Sequence, residues 1–114
     1  MYQTIPPPSS FNERKIVTVE VDGVKHTIRI RLRFMESLGL WHMSIYNPSN
    51  GACMAESIPL LTGMYPAADL LGPYGSLGIG SACIVPLVKN PTTPNPSRTN
   101  FGTEYALVWG DRVV

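Results

Sequence analysis

Between Lys15 and Phe34 the side chains alternate in character residue by residue around a single Asp-Gly pair, Asp22-Gly23. Val17, Val19 and Val21 alternate with Ile16, Thr18 and Glu20. Val24, His26, Ile28, Ile30, Leu32 and Phe34 then alternate with Lys25, Thr27, Arg29, Arg31 and Arg33. A period of two sends successive side chains to opposite faces of a strand, so the stretch reads as two strands with one buried and one wet face. Asp-Gly is favoured in a two-residue type I′ turn because both central positions need a positive φ. That turn sets the register: Val21 faces Val24, Glu20 faces Lys25, Val19 faces His26, and Val17 faces Ile28. Arg14 then falls roughly opposite Arg31, on the face that carries Arg29 and Arg33.

The rest of the chain continues in the same style. Met35 to Gly39 makes a connection, and Leu40 to Tyr46 reads as a strand with Trp41, Met43 and Ile45 inward and His42 and Ser44 outward. All three share a face with Leu32 if Phe34 lies opposite Trp41. Asn47-Pro48-Ser49-Asn50-Gly51 is a turn. Ala52 to Leu61 reads as a fourth strand, which Pro59 pushes to a sheet edge because proline has no N–H for the ladder. Thr62 to Gly78 holds four glycines and two prolines, with room for one helical turn around Ala67–Leu71. A strand is expected from about Gly78 to Leu87, and a last one from Thr103 to Trp109 with Tyr105, Leu107 and Trp109 on one face. The segment from Asn90 to Asn100, with Pro91, Pro94 and Pro96, is expected to be exposed, and either mobile or draped on a partner. The fold class is therefore all-β: a small antiparallel sandwich or barrel of about six strands with long proline-rich loops. Residues 1–14 read as an extended proline-rich arm and residues 15–114 as a single domain.

Several chemistries find no support. A chain of 114 residues with a net charge of +1 presents no global field to nucleic acid or to an anionic membrane. Only 15% of its residues are charged, against about 25% in an average soluble domain, which points to surface shared with partners. No apolar run reaches the roughly 20 residues of a membrane span, and the start shows no targeting segment, so synthesis in a cytoplasm is expected. Cys53 and Cys83 are too few for a disulfide scaffold, and with His26 and His42 they match no zinc spacing. No Gly-x-Ser-x-Gly motif or carboxylate pair suggests catalysis, so the chain is read as a non-enzyme without cofactor or metal. Gly75 and Gly80 have the spacing of a phosphate loop with Ser81 behind them, but the lysine is missing. That stretch reads instead as a tight crossover entering a strand where backbones pack closely.

Two surfaces are interface candidates. Arg29, Arg31 and Arg33 form a basic stripe without interleaved aromatics, which favours a wet face or an acidic protein partner over nucleic acid. Leu70, Leu71, Pro73 and Tyr74 are apolar residues in a stretch too glycine-rich for a good core element.

Several strings taken together carry a resemblance: Ile30-Arg31-Leu32-Arg33-Phe34 through Glu36, Gly39, Trp41, Met43 and Ile45; Ile58-Pro59-Leu60 with Gly63; Leu77 to Ser81; and Asn100 through Gly102, Thr103, Glu104 and Tyr105 to Leu107-Val108-Trp109. In this order, from about Val17 to Trp109, they resemble the small plug proteins at the baseplate centre of contractile-tailed bacteriophages. The resemblance implies a structural virion protein that closes the tail axis near the hub and central spike. It further implies contacts with hub, spike and tube, and self-association around the axis. The alternative is a non-catalytic β-module for a peptide, a carbohydrate or single-stranded nucleic acid. A peptide or carbohydrate site would need Trp41, Tyr46, Tyr74 and Trp109 to cluster.

Overall fold

The computed structural model describes residues 2–62, 69–71 and 78–111. Among them there is no helix, and seven strands form two antiparallel sheets. The larger sheet is a meander of β2 (Asn12–Val21), β3 (Val24–Met35), β4 (Leu40–Tyr46) and β5 (Cys53–Pro59), in that order. The smaller has β7 (Tyr105–Gly110) at its centre, flanked by β1 (Tyr2–Ile5) and β6 (Ser81–Pro86).

The first hairpin has the register its turn demands. Asp22 and Gly23 both sit at positive φ, 51° and 81°, and Val21 pairs with Val24, Glu20 with Lys25, Val19 with His26, Val17 with Ile28 and Arg14 with Arg31. Phe34 pairs with Trp41, which keeps Ile30, Leu32, Met43 and Ile45 on one inner face. Opposite them lie Ile5, Ala82, Ile84, Tyr105, Leu107 and Trp109 of the smaller sheet, and all these residues belong to one buried cluster. The molecule is thus a sandwich whose two sheets share a core. Each fully buried Leu or Ile adds about 1.5–3 kcal/mol.

Three features depart from the sequence reading. The first four described residues, part of the stretch read as an extended arm, are a strand of the smaller sheet. They form β1, with Thr4 opposite Val108 and Ile5 opposite Leu107, and Ile5 is buried. The Gln3 carboxamide then crosses to the other sheet, donating to the Thr18 carbonyl (2.9 Å) and accepting from the Glu20 N–H (3.3 Å). It occupies the free edge of β2 that would otherwise be open to pairing.

The second departure is a register shift between β4 and β5. Met43 faces Ile58 but Ile45 faces Ala55. Ser57 takes a φ of 54° there, and its N–H donates to Ser44 Oγ at 3.1 Å. Such bulges carry an extra residue and turn side chains to new directions.

The third concerns residues 90–100, expected to be exposed and either mobile or draped on a partner. They are fastened to the domain, because Asn100 is buried and fully engaged. Its Oδ1 accepts from the Ser97 N–H, its Nδ2 donates to Thr93 Oγ1, and its carbonyl accepts from Thr103, Glu104 and Tyr105 N–H groups. Pro96 is fully buried, the Tyr105 hydroxyl donates to the Thr93 carbonyl, and Trp41 Nε1 donates to the Ser97 carbonyl at 2.8 Å. A loop held by part-buried hydrogen bonds to backbone has no need of a partner to order it.

Candidate interaction surface

Outward-facing residues of the four-stranded sheet make its exposed face. Along β3 these are Lys25, Thr27, Arg29, Arg31 and Arg33, and the register sets Arg29 against Tyr46, Arg31 against Ser44 and Arg33 against His42. On the far side Arg14 of β2 pairs with Arg31. The predicted basic stripe is therefore assembled, with Arg14 beside it as the hairpin register required. Arg31 is steered by a hydrogen bond from its Nε to Asn12 Oδ1 at 2.8 Å. The ion pairs seen among the described residues, Lys15–Glu13 and Arg98–Glu36, involve none of these arginines.

Two hollows interrupt this face, sharing Tyr46 as a common wall. The narrower, about 30 Å³, is lined by Arg31, Arg33, His42, Ser44 and Tyr46, with Glu56 and Ser57 at the bulge. The wider, about 160 Å³, is lined by Arg14, Arg29, Tyr46 and Gly51. His42, read from the sequence as a plain polar strand residue, has a buried Nδ1 with no hydrogen-bond partner. Its polarity was legible in the sequence. Its neighbourhood was not, because the β4–β5 bulge that places Ser57 and Glu56 there has no glycine to announce it.

A different chemistry gathers at one end of the sandwich. Phe34, Trp41 and Phe101 stack edge to face around Trp41, Phe11 leans on Phe34 and Trp41 at 5.9 and 6.1 Å between ring centres, and the Arg98 guanidinium lies 5.0 Å above Phe11. A hollow of about 270 Å³ opens beside Pro8, Phe11, Trp41, Arg98 and Phe101. This is not the aromatic set named from the sequence. Trp109 is fully buried and donates from Nε1 to the Ile79 carbonyl at 2.7 Å, Tyr46 stands on the basic face, and Tyr74 lies outside the described residues.

The apolar interface candidate divides. Pro73 and Tyr74 lie outside the described residues. Leu70 and Leu71 are buried members of the core. The Leu70 N–H donates to the Ala82 carbonyl (2.7 Å), while Asp69 accepts from Leu71 N–H, Ser81 Oγ and Ala82 N–H. Residues 69–71 thus line the edge of β6, and Asp69 is the anchor that lets two leucines from a glycine-rich stretch turn inward.

No cluster of three or more His, Cys, Asp or Glu able to hold a metal occurs among the described residues. Both cysteines are free thiols, Cys53 exposed and Cys83 partly covered. Burial, followed by the nearby Asp69 carboxylate, pushes the Cys83 thiol up and away from thiolate reactivity. No helix among the described residues is long and apolar enough to cross a membrane.

The family model described as cyanophage baseplate Pam3 plug gp18 matches residues 2–112 of the chain. No curated protein matches it.

Proposed function

Because the chain belongs to the cyanophage baseplate plug family, we propose that it closes the tail axis near the hub and central spike of a contractile tail. A structural baseplate component needs a rigid fold with surfaces for its neighbours, and no reacting groups. The match over residues 2–112 carries this reading, because it spans both sheets rather than one motif. The small number of charges and the unpaired basic face support it as well. In this reading the chain is a virion protein made in the host cytoplasm, its partners are hub, spike and tube subunits and copies of itself, and it performs no catalysis. The outer arginines, Arg29, Arg31 and Arg33, are the surface proposed to meet a neighbour. Leu70 and Leu71 stay in the core.

The test is co-purification. Tagged chain expressed during infection by the phage that encodes it is expected to bring down hub and spike subunits at fixed stoichiometry. Recovery of the chain alone, from lysates in which assembled baseplates are abundant, would contradict the proposal.

A further inference from the structure

The basic face has a feature that a merely solvated arginine row lacks, a hollow walled by two of its arginines. The hollow of about 30 Å³ is lined by Arg31, Arg33 and His42, and His42 Nδ1, itself out of solvent contact, has no hydrogen-bond partner among the described residues. The space admits only one or two water-sized atoms, enough for the two oxygens of a carboxylate and too little for a nucleobase. Guanidinium groups favour planar, two-oxygen acceptors.

The neighbouring hollow repeats the pattern with Arg14 and Arg29. Arginines two positions apart on a strand stand about 6.7 Å from one another, the spacing of alternate residues in an extended partner. Carboxylates on the same face are Glu20, at the far end of the hairpin beside Lys25, and Glu56 at the rim of the narrow hollow. Neither is ion-paired with these arginines, and no ion pair seen among the described residues neutralises the four guanidinium groups.

We propose that this face binds an extended acidic segment of another tail protein, one carboxylate entering the hollow between Arg31, Arg33 and His42 and a second reaching Arg14 and Arg29. This deepens the plug reading and rests on it. A protein carboxylate is favoured over a nucleic-acid strand because Tyr46 is the sole Phe, Tyr or Trp lining the two hollows. Single-strand binders instead interleave several stacking rings with their cations.

The test is charge reversal in the assembling particle. Phage lacking the chain is complemented with wild type, with Arg31→Glu/Arg33→Glu, or with Arg31→Lys/Arg33→Lys, and copies per purified tail are counted. The Glu variant is expected to incorporate at least about tenfold less than wild type, since like charges facing one another across an interface are strongly unfavourable. The Lys variant should fall between the two, and suppressors should replace an acidic residue of another tail protein with Lys, Arg or a neutral residue. Equal incorporation of the Glu variant and wild type would overturn the acidic-partner inference while leaving the plug reading intact. Failure of wild type itself to enter tails would instead overturn the plug reading. Binding of the purified wild-type chain to a single-stranded oligonucleotide, steeply weakened by salt and lost in the Glu variant, would replace the acidic protein by nucleic acid. Unchanged thermal midpoints of both variants establish that folding is not the cause.

Discussion

A methyl group at Gly80 has nowhere to go. Its Cβ would stand 2.1 Å from the Gly110 carbonyl oxygen and 2.9 Å from a Val21 methyl, and the φ of 87° is itself unfavourable for any other residue. The obstruction is backbone, which cannot rotate aside, so Gly80→Ala is expected to cost at least about 3 kcal/mol, measured as a drop in the urea midpoint. Asn100 is the polar counterpart. Replacing it by alanine leaves the Ser97 N–H without its acceptor and takes one hydrogen bond from the Thr93 hydroxyl in a part-buried site, with an expected loss of about 1–3 kcal/mol. Hydrogen exchange should then become fast across residues 92–104 while β3 stays protected. If the whole domain loosened equally, the loop would be part of the global folding unit and not a separately fastened element.

At the scale of elements, the N-terminal strand and the edge of β2 depend on one another. Glu13 accepts hydrogen bonds from Ser9 N–H and Ser9 Oγ and pairs with Lys15 at 2.8 Å, while Lys15 Nζ reaches the carbonyls of Pro6 and Pro7. The Lys15 ammonium first, and then the Ser9 donors, lower the Glu13 carboxyl from 4.5 to about 2. A lowered carboxyl stabilises the fold above its ordinary range and loses that contribution as pH falls through its folded value. Stability from this knot is therefore complete above about pH 4.5 and disappears towards pH 2. Glu13→Gln should flatten that acid limb and cost about 1 kcal/mol or less at neutral pH, as an accessible ion pair does. An acid limb identical to wild type would show the knot to be energetically idle.

What the chain announced locally and what it concealed divide along the same line. The Asp22-Gly23 turn and the alternation beside it dictate four paired positions outright, and the Phe34–Trp41 pairing follows from matching two apolar faces. β1 was hidden because four residues ahead of three prolines have no periodicity to read, and only β7, about a hundred residues later, gives them a partner. Likewise Leu70 and Leu71 turn inward through Asp69, whose acceptors serve β6. The arginine face was legible as a stripe. The hollow within it depends on a bulge at Ser57 whose positive φ is carried by a serine, so no glycine marks it.

For the whole molecule, a single core shared by both sheets implies a single cooperative unit. The radius of gyration, 13.3 Å, matches the roughly 13 Å of a compact chain of this length. One unfolding transition is expected by both fluorescence of the buried Trp41 and Trp109 and far-ultraviolet dichroism. Two separated transitions would mean that the sheets are stable independently. The two outer faces differ in kind. One carries Arg14, Arg29, Arg31 and Arg33. The other, opposite the inward residues of β6 and β7, carries Cys83, Val85, Ala106 and Val108 among the described residues, with Ala106 itself buried. The most direct test is the number of copies in purified virions and in isolated tail tips, by quantitative mass spectrometry. A few copies per particle, enriched with the hub and spike, are expected. Absence from virions in which other minor tail proteins are readily detected would contradict a place on the tail axis.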